Sequence, residues 1–173
     1  MTLGLRVAAV VFVAAIFQVS ALSQLTVFGA APDLLLVSLV SLAMLRGSIV
    51  GALAGFAGGL IVDVATLGTL GVTSLLLTVA GYWAGRYAET TGRGRAFAPY
   101  VAVAAITVVV GVGAAVVHFL LGDAVVVQRA LLPLLPAIVL NLLLAAPVHR
   151  LCRRIVGETP RIERLRNVEV QAV

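Results

Sequence analysis

The sequence has no lysine, a single cysteine (Cys152), two histidines and only 11% charged residues. A soluble domain carries about 25% charge, so water is not the main solvent of this chain. One thiol closes no internal disulfide, and with His118 and His149 far apart in sequence it makes no zinc pattern. No metal or cofactor is expected. Catalytic constellations are missing as well. No Ser/His/Asp set shares one apolar run, and there is no HExxH. The segment Gly92-Arg93-Gly94-Arg95 lacks the lysine and the spacing of a phosphate-binding loop. Paired carboxylates at mid-depth, which charge-coupled transport calls for, are also absent. These absences argue against an enzyme, and no catalytic residue can be named.

What the chain does have is apolar length. Of its 173 residues 62% are hydrophobic, and the mean hydropathy is +1.17. A globule of this size has too little interior to hide that much apolar surface. Six runs stand out: 5–27, 34–45, 48–65, 70–87, 97–121 and 129–151. A spanning helix needs about 20 apolar residues. A β-barrel strand would alternate apolar and polar positions, whereas 101–121 is an almost unbroken apolar run. The expected fold is therefore all-α and polytopic, with residues 1–154 forming a six-helix transmembrane domain and 155–173 a cytoplasmic tail. The second run is short for a span. The first resembles a secretory signal ending in Val19-Ser20-Ala21; it is read as an uncleaved anchor, because the later runs need a first span to keep their orientation.

Charge supports that layout. With the N-terminus inside, every arginine except Arg129 falls on the cytoplasmic side, while Asp33, Asp63 and Asp123 fall outside. Basic residues in short loops mark the cytoplasmic face, so both termini are expected there. In a soluble protein a pI near 10.7 would suggest nucleic acid; here it reports topology, and no nucleic-acid partner is expected. Arg150, Arg153 and Arg154 would each add about 1 kcal/mol of attraction to anionic lipid, although topology alone accounts for them equally well.

The clearest pattern is Gly47, Gly51, Gly55 and Gly59, four residues apart and so stacked on one face of a helix. Small residues let backbones approach closely where lipid supplies no hydrophobic drive. The groove holds either another helix of this chain or a partner protein. Gly81 and Gly85 give a second close-packing face. Pro32-Asp33 opens the second run as a helix start. Asp63 is placed at the outer boundary, where it would join Asp33 and Asp123 in an ion pair with Arg129. Asn141 sits mid-run behind Pro133 and Pro136, which would kink that helix. Its amide is read chiefly as glue to a neighbouring helix, with a substrate contact as the alternative. Thr66–Gly71 forms a glycine turn.

Taken in order, Pro32-Asp33-Leu-Leu-Leu-Val, Leu45-Arg46-Gly47, Gly51-Ala-Leu-Ala-Gly55-Phe-Ala-Gly-Gly59-Leu-Ile-Val-Asp63, Leu67-Gly68-Thr-Leu-Gly71, Gly81-Tyr82 and Gly85 resemble the rod shape-determining MreD family. The resemblance covers residues 30–88 closely and rests on length and topology elsewhere. It implies a non-enzymatic scaffold of the bacterial inner membrane, multi-pass and part of the elongasome. Such a scaffold would support cell-shape maintenance and lateral peptidoglycan synthesis. The implied direct partner is MreC, with MreB, RodA and its transpeptidase linked indirectly and a second copy of the chain as a further candidate. A bundle like the substrate-binding S-components of vitamin transporters is also implied. That sets the alternative function, a small-molecule (vitamin) binding subunit of a transporter. The positions that match the family pattern are Pro32, Asp33, Arg46, Gly47, Gly51, Gly55, Gly59, Asp63, Gly68, Gly71, Gly81 and Gly85.

Overall fold

The structure, a computed structural model, describes residues 3–20, 30–67, 69–91, 97–122 and 134–157. Among these residues it is all-helical, with no strand: α1 (Leu3–Ser20), α2 (Leu34–Arg46), α3 (Ser48–Thr66), α4 (Val72–Thr91), α5 (Ala98–Leu120) and α6 (Leu134–Val156). Four of them, α1, α3, α5 and α6, are long and apolar enough to cross a membrane.

The short second run becomes the centre of the fold. Helix α2 has 13 residues, and everything from Leu35 to Leu45 is buried. It packs against all five other helices. A helix of that length extends about 20 Å, less than the roughly 30 Å of hydrocarbon. Because helices rather than lipid surround its sides, α2 needs no more length than the space between its neighbours. Leu36, Leu39, Leu42, Val37 and Val40 form the middle of the core.

Glycine decides the closest helix pair. A Cβ on Gly55 would stand 2.5 Å from the Leu77 carbonyl carbon, and one on Gly59 2.6 Å from the Ser74 nitrogen. Gly51 and Gly81 face each other across the same seam, and Gly85 meets the backbone at Ser48. Helix α4 of this chain thus fills the groove that the four-residue spacing cut on α3. Gly47 closes the end of the groove, where a Cβ on Gly85 would meet its carbonyl carbon. It lies between α2 and α3 at φ 102°, a conformation that L side chains rarely adopt. It turns the chain from one helix into the next. Gly58 adds a contact absent from the four-residue series, toward Val11 and Leu35.

The expected mid-helix kink of α6 is also revised. Pro136 falls in the first turn of α6, where an amide has no intrahelical acceptor and its loss costs nothing. The proline inside the helix is Pro147. Pro133 lies outside the described residues.

Candidate functional site

Polar side chains gather at the two ends of α2, and the sequence predicts why. A helix buried on all sides has terminal amides and carbonyls that neither water nor lipid can satisfy, so neighbouring helices must do it. At the start of α2, Asp33 caps its own helix: the Leu36 amide donates to Asp33 Oδ1 at 2.9 Å. The Asp33 amide donates to Asn141 Oδ1 on α6 at 2.8 Å. Asn141 Nδ2 donates in turn to Thr107 Oγ1 on α5 at 3.1 Å, and the Thr107 hydroxyl bonds back to its own helix at Val103. From α1, Gln18 accepts from the Leu34 amide at 2.8 Å and donates to the Pro32 carbonyl. Three helices, α1, α2 and α6, therefore meet at Pro32-Asp33, and α5 joins them through Asn141. Asn141 is 1% exposed and its bond to Thr107 is fully buried, while the bonds at Pro32, Asp33 and Leu34 are part-buried.

At the far end of α2, the Arg46 guanidinium donates to the carbonyl of Val156, the last residue of α6. Arg6 on α1 reaches the neighbouring Ile155 carbonyl at 3.3 Å. Both cations complement the negative end of a helix dipole.

Asp63 does something the sequence concealed. It is 2% exposed and accepts from three backbone amides that open α4: Gly71 at 2.9 Å, Thr73 at 3.2 Å and Ser74 at 3.2 Å. Its carboxylate is a cap supplied by the preceding helix, and its partners among the described residues are amides. Arg129 and Asp123 lie outside the described residues. The reverse arrangement holds at the other end of the seam. Glu89, near the end of α4, accepts from the Ser48 amide (2.8 Å) and hydroxyl (3.1 Å) where α3 begins. Each helix of the α3–α4 pair thus carries the acid that caps its partner. Antiparallel packing makes this reciprocity available, since it sets the end of each helix beside the start of the other. The Ser74 hydroxyl also crosses to the Phe56 carbonyl at 3.0 Å, a reach that depends on Gly59 lacking a side chain. The Arg86–Glu89 pair is exposed and adds little.

Of the positions singled out from sequence, Asp33 and Asn141 come together, and Gly51, Gly55, Gly59, Gly81 and Gly85 share one seam. Gly71, at φ 96°, presents its amide to Asp63. Gly68 lies outside the described residues. Sequence reasoning missed Gln18, Thr107, Ser48, Ser74 and Glu89. Gln18 and Thr107 are lone polar residues deep in apolar runs, and such residues pair across helices. That signal was available. Among the described residues, no cluster of His, Cys, Asp or Glu could hold a metal ion.

The arrangement fixes helices; it offers no reacting group. Asn141 and Asp63, the side chains a small-molecule pocket would use, are bonded within the fold. The lipid-facing exterior carries instead an apolar furrow of about 650 Å³ between α1 and α3, with Gly4, Ala8, Ala54 and Ala57 among its walls.

The family described as rod shape-determining protein MreD matches residues 2–155 of the chain. No curated protein and no solved structure matches it.

Proposed function

The chain belongs to the rod shape-determining MreD family, and from that premise we propose that it is a non-enzymatic scaffold that seats MreC in the bacterial inner membrane. Membership places it in a membrane protein family of the MreB/MreC shape-determining system, a structural family not known for enzymatic activity. The proposal adds a topology: six membrane-embedded helices across residues 1–154, both termini cytoplasmic, and 155–173 as a cytoplasmic tail. The distribution of arginine supports it. MreB, RodA and its transpeptidase are then reached through MreC, in support of lateral peptidoglycan synthesis.

The observation that carries the proposal is the family match along nearly the whole membrane portion. Where the partner sits follows from the packing. The α3 glycine groove is filled by α4, so a partner helix needs another face. The α1–α3 furrow supports that role: its walls include small residues, and small residues are what bring membrane helices close. Ala8 and Ala57 line it and are exposed, so enlarging them leaves the chain's own core intact. Co-purification of MreC with Ala8→Phe or Ala57→Phe is expected to fall at least about fivefold. Leu143→Phe, on an exposed face of α6, should leave it unchanged. MreC recovered equally with all three variants would remove the furrow as its seat. No MreC with the unaltered chain would remove the direct partnership.

A further inference from the structure

A second concavity lies at the opposite flank, where α5 begins and α6 ends. It measures about 160 Å³, and its walls include Pro99, Tyr100, Ala146, His149, Arg150 and Arg153. We propose that this cleft is a seat for the phosphate head group of an anionic membrane lipid.

The spacing on α6 makes the site. Ala146, His149, Arg150 and Arg153 follow one another at i, i+3, i+4 and i+7, so they share one face. Ala146 is the small member of that set and leaves the hollow, which Arg150 and Arg153 also line. Guanidinium groups match a phosphate by presenting paired donors in one plane. Across the gap, Tyr100 brings a phenol hydroxyl, and no acidic side chain lines the cleft among the described residues. About 15 Å³ measured this way holds one water, so 160 Å³ has room for a phosphate ester with some of its hydration.

The surroundings select a lipid over a soluble phosphate. Both walls are helices long and apolar enough to cross a membrane, so the cleft opens at the level where head groups lie. The face of α6 below it continues as Leu143 and Val139, which are 69% and 57% exposed. On α5 the face of Tyr100 continues to Val108, also exposed. A charged seat above two exposed apolar stripes has the shape of a lipid: head group at the arginines, acyl chains along the helices. Basic pockets between membrane helices bind such head groups. The seat is independent of how the chain engages MreC, and the two can fail separately.

The test uses the full chain in mild detergent, with bound lipid counted by native mass spectrometry after adding phosphatidylglycerol or phosphatidylcholine. The unaltered chain should retain the anionic lipid in preference. Arg150→Gln with Arg153→Gln should lower that retention about 25-fold, at about fivefold for each arginine. Ala146→Leu fills the hollow with every charge kept, and should bring retention down to that of phosphatidylcholine. Arg154→Gln, which is not part of the lining, should stay within about twofold. If the double variant does not fold, Ala146→Leu decides alone. Equal retention of the two lipids, undiminished retention by Ala146→Leu, or an Arg154→Gln loss as large as the double variant's would overturn the seat. Displacement of phosphatidylglycerol by equimolar glycerol 3-phosphate would reassign the cleft to a soluble ester and overturn the lipid.

Discussion

The α3–α4 seam yields the sharpest quantitative expectation, because one methyl group tests it. In Gly55→Ala the new Cβ would stand 2.5 Å from the Leu77 carbonyl carbon and 2.9 Å from the Thr78 nitrogen. Ordinary contact begins near 3.4 Å, and the obstacles are backbone atoms with no rotamer to yield. The helices must therefore part by at least about 0.9 Å, since the Leu77 carbonyl oxygen stands nearer still. That movement takes the Ser74–Phe56 bond from 3.0 Å past hydrogen-bonding range and loosens the amides held by Asp63. Overpacking costs about 1–3 kcal/mol, and a lost bond adds about 1 kcal/mol. Against this, alanine stabilises a helix by up to about 1 kcal/mol over glycine. The net loss should be about 1–3 kcal/mol. Gly111→Ala is the matched control: its Cβ would overlap only the side chain of Leu134, at its Cδ1, and a leucine end can rotate away. Its overlap, 2.5 Å to Leu134 Cδ1, is relieved by that rotation, so the variant should fall within about 0.5 kcal/mol of the unaltered chain or exceed it, through the same helix preference. Unfolding in mixed micelles of rising dodecyl sulfate fraction, followed by circular dichroism, ranks the two. If Gly55→Ala proved as stable as Gly111→Ala, the seam would not be as tight as the packing implies, and α4 would not be what fills the α3 groove.

Two further substitutions address the caps. Asp63→Ala strips acceptors from three amides, one of them in a fully buried bond; a lost cap costs about 1–2 kcal/mol and a stranded buried donor about 1–3 kcal/mol, so about 2–5 kcal/mol is expected. Asp63→Asn retains one acceptor oxygen and should lose about 1 kcal/mol; the same micelle titration would contradict a capping role if the two variants behaved alike. Asn141→Leu leaves the Asp33 amide without its acceptor and removes the Thr107 contact. Interhelical bonds in membranes average about 0.6 kcal/mol and reach about 1.7, so a loss of about 1–2 kcal/mol is expected. Combined with Thr107→Val in a double-mutant cycle, it should be less than additive, and strict additivity would mean the two side chains do not interact.

What could be read from the sequence follows from what the sequence determines locally. Apolar run length is set by the membrane itself, so all six helices were visible, and the bounds of α2 and α3 differ from the runs by a residue at most. Helix α6 runs past its expected end, to Val156 against 151, and residues 129–133 of that run lie outside the described residues. Arg150, Arg153 and Arg154 were taken as the end of the apolar stretch, yet arginines suit a last helical turn and the helix continues beneath them. The glycine spacing identified a face but not its occupant, because periodicity describes one helix and packing involves two. Asp63 was the hardest to read. Its depth along α3 was estimable, but its partners belong to the start of the next helix and become neighbours only when the two helices fold back on each other. Asn141 was singled out as a polar interruption and Gln18 was not; their convergence on Pro32-Asp33 depends on how α1 and α6 pack against the start of α2.

These placements bear on how a scaffold of this kind would work. The polar groups that a binding or catalytic site would recruit are spent on the ends of α2 and on the α3–α4 caps, where removing any one strands a backbone partner. Helix α2 is held at both ends and along every side, so the middle of the bundle has few ways to move. The two surfaces proposed for recognition are on the outside: an apolar furrow beside α1 and a basic cleft at the joint of α5 and α6. Both are shapes in a surface that the membrane solvates, and neither requires the core to open. A chain built this way can hold a partner helix and a lipid at fixed positions relative to each other. Rigid spacing of that kind is the physical contribution expected of a non-catalytic member of a shape-determining assembly. It would also make the variants in the core and those on the furrow separable: the first set should lower stability with partner binding lost only on unfolding, and the second should lower binding with stability unchanged.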